Sequence, residues 1–435
     1  MSYIVGFSGK SERLVTPFAF AALALVAAVA WTNGKAMGRQ ISFPAALSLY
    51  GALLFVVCTF LHSWLYALRP NRAELTKYYF LQALGGALGG SVASLAFPNL
   101  AKTVMEYPVS LVLAGAAGCA YFALARARAK LAAAVIVGVA AVAMWFMGAK
   151  VETRPVVFRG RGFFGTVEVL EAKARTAKGE GRIHEFVHGT TIHGIQALLP
   201  GKERMPTTYY TPNASGYAIV AHPKYRAGLP MRVNITGLGV GVLFCYGRTN
   251  DYYRAYEISK DALDVASNTN LFTFVSSCPA KKDIILGDAR KGLEAELAAG
   301  AEPYDVIVVD AFTGDNLPYH LSTKEAFDLY FKLLKPDGVL CVNISNWHLA
   351  LEPFMKTVGE TYDVPLLGLA TSDNFATLAF GAKIACFCRS PEGLANPPFN
   401  VQGPHGARMI DFSRCKRMPS LPTDEKGSFI NLINW

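Results

Sequence analysis

The chain has 435 residues, of which 52% are hydrophobic and only 17% charged, with a formal net charge of +10. A soluble domain carries roughly 25% charged residues, so the composition sets this chain apart from the wholly soluble class. Residues 1–150 hold 12 Lys and Arg against 3 acids, whereas the rest of the chain is nearly neutral. The basic excess therefore lies beside apolar segments, as in juxtamembrane loops. The C-terminal half has no basic surplus for nucleic acid.

A bilayer-spanning helix needs about 20 apolar residues. Five stretches qualify: Leu14–Trp31, Ile41–Leu68, Tyr78–Ala101, Tyr107–Ala125 and Leu131–Ala149. The first could be a cleaved signal sequence, but the segments that follow favour a span. The third carries GGALGG (Gly85 to Gly90), whose small residues allow either close helix packing or a re-entrant break. Lys and Arg divide evenly between the two sides, so the positive-inside rule fixes no topology.

After Lys150 the pattern changes. Val156–Phe158 and Thr166–Leu170 are short and β-branched, with glycines between them, and are expected to be strands. Glu185–Gln196 (EFVHGTTIHGIQ) and Pro206–Tyr210 (PTTYY) are polar and aromatic without a helical stripe, and read as loops lining a cleft. His188 and His193 could ligate a metal, but no carboxylate completes a set at metal-like spacing, so no metal is expected. Hydrogen bonding within the fold, or contact with a ligand, are the other readings. The eight cysteines contain no CxxC pair and read as buried apolar residues.

From Met231 onward strands and helices alternate. Met231–Thr236 is a strand followed at once by Gly237-Leu-Gly-Val-Gly241, a short helical segment Val242–Tyr246, and a second strand ending at Glu257-Ile258. Glycines after a strand admit a ligand close to the backbone, and an acid at the next strand end can accept both ribose hydroxyls. Next come a helix Lys260–Ala266, a strand Asp283–Leu286 ending in Gly287-Asp288-Ala289, and a helix Leu293–Ala299. An apolar strand Tyr304–Val309 ends at Asp310, and a helix Lys324–Leu334, a turn Lys335–Gly338 and a strand Val339–Ile344 follow. This spacing predicts a parallel sheet with right-handed crossovers. Three acids, Glu257, Asp288 and Asp310, fall at successive strand ends, where such sheets bind ligands.

These motifs resemble the spermidine synthase family of polyamine aminopropyltransferases, and in particular its bacterial branch with a membrane region fused to the synthase domain. The resemblance covers roughly residues 78–435 and rests on HGTTIHGIQ, PTTYY, GLGVG, YEIS, GDAR, LKPDGVLCVNISN, PTDEKGSFINLI and, most specifically, DAFTGDNLPYHLSTKEAF (Asp310–Phe327). It implies an α-helical transmembrane region followed by an α/β Rossmann-like domain of the class I methyltransferase and spermidine synthase type, with a small β subdomain. The expected boundaries are 1–150 (membrane), 151–229 (β subdomain and substrate loops), 230–390 (nucleoside-binding catalytic domain) and 391–435 (tail).

The resemblance also implies roles. Asp310 is the catalytic acid that orients and deprotonates the attacking amine, with Asp315 the second Asp of its loop. Gly237, Gly239, Gly241, Glu257, Ile258, Asp288, Ala289 and His193 would hold the nucleoside. In that set Glu257 takes the ribose, Asp288-Ala289 the adenine, and His193 lies near the sulfonium. Gln196, Tyr209 and Tyr210 would contact substrate. The chain departs from the family at Val240, Ile192 and Gly194, where polyamine synthases carry Asp, Tyr and Glu. Lost acids weaken the case for a diamine acceptor, and they remove charge that would repel the carboxylate of intact S-adenosylmethionine.

The expected function is aminopropyl transfer from decarboxylated S-adenosylmethionine to an amine. Methyl transfer from S-adenosylmethionine to a lipid or hydrophobic amine is the alternative, and a membrane protein whose domain only binds ligand is a third reading. The expected partners are a small amine or lipid acceptor and the lipid bilayer, and a homodimer is compatible with the sequence. Adenosyl sulfoniums are cytosolic, so the catalytic half is expected on the cytoplasmic face of a bacterial inner membrane.

Overall fold

The structure is a computed structural model that describes residues 1–8, 13–35, 43–124, 135, 138, 154–176, 179–189, 191–312, 318–346, 349–389, 406–429 and 432. The chain divides into two compact units, Met1–Thr153 and Arg154–Asn434.

In the first unit, three helices among the described residues are long and apolar enough to cross a membrane: Pro44–Ala67, Arg72–Leu100 and Glu106–Leu124. A fourth helix, Val15–Lys35, has a shorter apolar stretch, Val15–Val29. It packs on two of the others through Val15, Ala19, Leu23, Phe60 and Phe122. The fifth expected span, Leu131–Ala149, lies outside the described residues except for Val135 and Gly138, both helical. The helix beginning at Leu75 continues through Gly85–Gly90, so of the two readings of that stretch the re-entrant break does not occur there. The ladder widens instead into a π turn at Val92–Ala96, just before Pro98. Pro98 has no N–H and its ring crowds the preceding turn, which accounts for the irregularity.

The second unit begins with a four-stranded antiparallel meander: β1 (Val156–Gly162), β2 (Gly165–Thr176), β3 (Gly179–His188) and β4 (Thr191–Ala197). Glu185–Gln196 is therefore a hairpin rather than the expected loop. Its polar residues hide the alternation, because several of them are buried and satisfied. His184 Nδ1 meets the Leu271 carbonyl oxygen at 2.8 Å, and His188 Nε2 meets that of Phe164 at 2.6 Å.

An eight-stranded sheet follows, built from β5 (Arg232–Thr236), β6 (Tyr252–Glu257), β7 (Lys281–Leu286), β8 (Tyr304–Val309), β9 (Leu334–Asn343), β10 (Leu366–Ala370), β11 (Lys383–Cys388) and β12 (Arg408–Met409). Its order is β12-β10-β11-β9-β8-β5-β6-β7. The five strands from β9 to β7 are parallel, and β11 is antiparallel to both its neighbours. This is the doubly wound Rossmann-like order with a reversed strand near one edge, as expected for the class I methyltransferase and spermidine synthase type. Lys335–Gly338, expected as a turn, lies within β9, where pairing to β8 shifts register between Tyr304 and Val306.

Strand alternation splits the core into two layers. Val306, Val308, Val339 and Cys341 face the side covered by β2, β3 and residues 217–280, whereas Ile307, Val309, Leu340 and Val342 face three helices and the C-terminal segment. Those helices span Ala289–Ala298, Lys324–Leu333 and Glu352–Tyr362. Every residue of β8 is buried, which is why it reads as an unbroken apolar run around Asp305. Asp305 is held at the strand's start by Lys224 Nζ (2.5 Å), the Arg232 amide (2.7 Å) and Lys335 Nζ (3.2 Å).

Because Asp305 lies at the opposite end of β8 from Asp310, its role is stability alone. Asp305→Ala should lose about 3 kcal/mol of unfolding free energy, measured by denaturant titration.

Candidate active site

The parallel register lines up the strand ends. Thr236 pairs with Tyr256 and with Val309, Glu257 with Leu286, and Val309 with Val342. The next residues, Gly237, Glu257, Gly287-Asp288, Asp310 and Asn343, therefore form one row at the carboxyl edge. Gly237 has φ 96°, and a Cβ there would stand 2.4 Å from the Asp310 carbonyl oxygen, so the two strand ends touch only because position 237 is glycine. The segment after the glycine loop is a five-residue 3-10 turn, Val242–Tyr246, rather than the helix a dinucleotide site would use. Val242, Phe244 and Tyr246 are poor helix formers and Gly247 ends the turn.

Two cavities meet at this edge. The first, about 260 Å³, is lined by Gly237, Gly239, Glu257, Ile258, Asp288, Ala289 and His320, with Phe164, Phe186 and Tyr256 among its apolar walls. The second, about 480 Å³, is lined by Tyr209, Asn343, Ser345, Thr371, Phe375, Phe380, Lys383 and Arg408 among others. His193, Tyr210, Asp310 and Phe312 line both.

In the first cavity, Glu257 accepts the Ser259 amide at 2.9 Å and the Leu238 amide at 3.1 Å, one on each carboxylate oxygen. Burial raises its pKa, and these backbone N–H groups partly offset the rise. Each oxygen keeps a lone pair for a ligand hydroxyl. Asp288 caps the helix Ala289–Ala298 by accepting the Lys291 amide, and His320 Nε2 lies 3.1 Å from its other oxygen.

At the junction, Asp310 is buried. Asn343 Nδ2 donates to its Oδ1 at 2.7 Å, and Oδ2 has no hydrogen-bond partner of ordinary length. Burial raises the Asp310 pKa to about 6, with Asn343 and the nearby Tyr210 hydroxyl pulling the other way. His193 is pushed down to about 4 by burial and by neighbouring His188, so it is a neutral imidazole at pH 7. Its Nε2 is also buried and unpartnered. The Tyr210 hydroxyl donates to the His193 carbonyl oxygen at 3.4 Å.

Most of the expected residues converge here. Gly241 and Gln196 line neither cavity. Gln196 donates to the Glu203 carbonyl oxygen and Thr273 Oγ1, both at 2.7 Å, and accepts the Thr273 amide at 2.8 Å, so its amide ties β4 to the loop after residue 270. Asp315 lies outside the described residues. Val240 is fully buried and lines neither cavity, and a Cβ on Gly194 would stand 2.3 Å from Val240 Cγ2. Two of the three departures from the family pattern are thus one apolar contact.

Sequence reasoning missed Asn343, Phe312, His320 and the cationic residues of the second cavity. Asn343 could have been found, since it stands at a strand end like the three acids. His320 is positioned by the tail. Thr323 Oγ1 donates to Asp424 at 2.7 Å, Arg290 pairs with Asp424 at 3.0 Å, and Tyr319 donates to the Thr423 carbonyl oxygen at 2.8 Å. A backbone contact adds to these, the Lys324 amide donating to the Pro422 carbonyl oxygen at 2.7 Å. The C-terminal segment therefore packs on its own domain and holds the wall of the first cavity.

Two outcomes follow from this geometry. Asp424→Ala removes contacts worth roughly 1 kcal/mol, so the unfolding free energy measured by denaturant titration should fall by about that amount. Asp310 carries a raised native pKa, so its ionised form costs stability above pH 6 and nothing below the unfolded value near 4. Asp310→Asn should therefore gain about 1–3 kcal/mol of unfolding free energy at pH 8 and nothing at pH 3, read from denaturant titrations at both pH values.

Comparison with known proteins places this geometry in context. No family model matches the chain. A curated relative described as a probable polyamine aminopropyl transferase, from Bifidobacterium longum (strain NCC 2705), is 24% identical over 191 residues. The match covers 44% of this chain and 37% of the relative, so the chain spans little more than a third of that protein's length. Among solved structures, a probable spermidine synthase from Corynebacterium glutamicum is 17% identical, covering 63% of this chain and all of that one, with a TM-score of 0.45. Human methyltransferase-like protein 13 in complex with SAH is 23% identical over 41% of this chain and 80% of that one, with a TM-score of 0.34. The chain is thus similar to a polyamine aminopropyl transferase in sequence, in agreement with its motifs, and the roles of its residues rest on the site's own geometry.

Proposed function

We propose that the protein is a membrane-anchored transferase that moves an aminopropyl group from decarboxylated S-adenosylmethionine to an amine, releasing methylthioadenosine. The observation that carries this reading is the pair of cavities meeting at Asp310, whose Oδ2 is buried and unpartnered. The first cavity takes the nucleoside, with Glu257 on the ribose hydroxyls and Asp288-Ala289 beside the base. The short 3-10 turn after the glycine loop suits a donor without phosphate, since a five-residue turn offers little dipole to an anion. The second cavity takes the acceptor. The three apolar helices support a bilayer anchor, with the catalytic unit on the cytosolic side where the donor is made.

The chemistry is a single displacement. The lone pair of the acceptor nitrogen attacks the carbon next to sulfur, the new C–N bond forms as the C–S bond breaks, and sulfur leaves as a neutral thioether. The nitrogen must be neutral to attack, although a free alkylamine titrates near pH 10. Asp310 accepts its proton, and Asn343 fixes the carboxylate so that Oδ2 faces the nitrogen. His193, being neutral, adds no repulsion to the sulfonium.

Methyl transfer from S-adenosylmethionine is a second reading, favoured by the buried Val240–Gly194 contact. Neither position carries an acid whose charge would repel the donor's carboxylate.

Product analysis separates the two readings. Purified protein offered both sulfonium donors should release methylthioadenosine; S-adenosylhomocysteine alone would replace the first reading with the second. Asp310→Asn should lower kcat by roughly 10²–10⁴-fold while still binding nucleoside, and undiminished turnover would remove Asp310 from the chemistry. Since the carboxylate form is the base, kcat/KM should fall as pH drops through about 6 in the wild type.

A further inference from the structure

The second cavity differs in charge from what a diamine requires. Resting on the reading that this cavity receives the acceptor, we infer that the acceptor is an amine whose far end carries an anion, a carboxylate or a phosphate.

The distribution of charge carries the inference. Beyond Asp310 at the junction, the charged side chains that line the cavity are Asp373, Lys383 and Arg408. Asp373 gives one oxygen to the Gly381 amide at 2.7 Å. Lys383 is paired with Glu352 at 2.6 Å. Arg408 stands on β12 opposite Ala370, exposed and with no ion pair among the described residues. The rest of the lining is neutral, with amides, hydroxyls and the aromatic pair Tyr209–Phe380, whose ring centroids are 5.7 Å apart.

A linear diamine is a dication in water, because both amines titrate near pH 10. One end can give its proton to Asp310. The other would then face the Arg408 guanidinium, since Glu352 neutralises Lys383 and the Gly381 amide occupies one oxygen of Asp373. An amine with an anionic far end meets the opposite field: Asp310 takes the nitrogen and Arg408 takes the anion by a charge-assisted, bidentate contact. The buried, unpartnered Asp310 Oδ2 and His193 Nε2 mark the end at which the nitrogen sits.

The test reads binding separately from turnover. Full-length protein in detergent, saturated with methylthioadenosine, is titrated calorimetrically with 4-aminobutyrate, 1,4-diaminobutane and butylamine, three probes of equal chain length. O-phosphoethanolamine joins the series to separate phosphate from carboxylate. An anionic-ended amine should bind at least about tenfold more tightly than the diamine, a difference typical of one well-placed charge contact. Arg408→Gln should abolish that preference and Arg408→Glu should invert it, with melting curves confirming that both variants fold. Tighter binding of the diamine, equal binding of all probes, no binding, or a preference unmoved by either variant would overturn the inference. If the preference is found but no nucleoside product forms with either donor, the transferase reading fails and the cavity stands as a binding site for an amine with an anionic far end.

Discussion

The close approach of β5 and β8 is the constraint on which the site depends. Gly237 leaves the end of β5 so near the Asp310 carbonyl that a methyl group in its place would overlap the backbone. That contact fixes the row of strand ends in register. It also brings the glycine loop and the buried acid onto neighbouring strands at the point where the strand order reverses. A substituent at 237 would pry the two ends apart, and the junction of the two cavities would open with them.

Within that row, burial acts on two carboxylates and leaves them with different characters. Glu257 receives backbone N–H groups on both oxygens, so its charge is stabilised by fixed dipoles even though it is buried. Asp310 receives one amide on one oxygen, and its pKa rises to about 6. The first arrangement suits a group that holds hydroxyls and stays ionised. The second suits a group that exchanges a proton near neutral pH. The difference comes from what surrounds each acid, since both lie at the same edge of the same sheet.

The parallel strands are legible in the sequence because they are buried on both faces and read as apolar runs ending in polar residues. The strand expected over Tyr304–Val309 coincides with β8 to the residue, and the acids after three strands mark the binding edge. The hairpin from Glu185 to Gln196 is not legible, because polar residues within it are engaged inside the fold, His188 by the Phe164 carbonyl oxygen and Gln196 by the Glu203 carbonyl oxygen and Thr273. Polarity there signals a satisfied interior rather than exposure. The second cavity is equally hidden. Its walls come from β9, β10, β11 and β12, and only the antiparallel return of β11 beside β9 brings Lys383 near Asn343. The Lys335–Gly338 stretch misleads for a local reason: its Pro and Gly sit at a register shift inside a strand rather than at a turn.

Two of the three departures from the family pattern, Val240 and Gly194, gain meaning from their contact. Val240 and Gly194 fill each other's space, so an acid could not be restored at position 194 without moving Val240. The pair therefore behaves as one apolar plug behind the first cavity. The acids that remain on that cavity's lining are already engaged: Glu257 by backbone amides and Asp288 by its helix cap and His320. What is left uncommitted is a single carboxylate oxygen, at the place both cavities share.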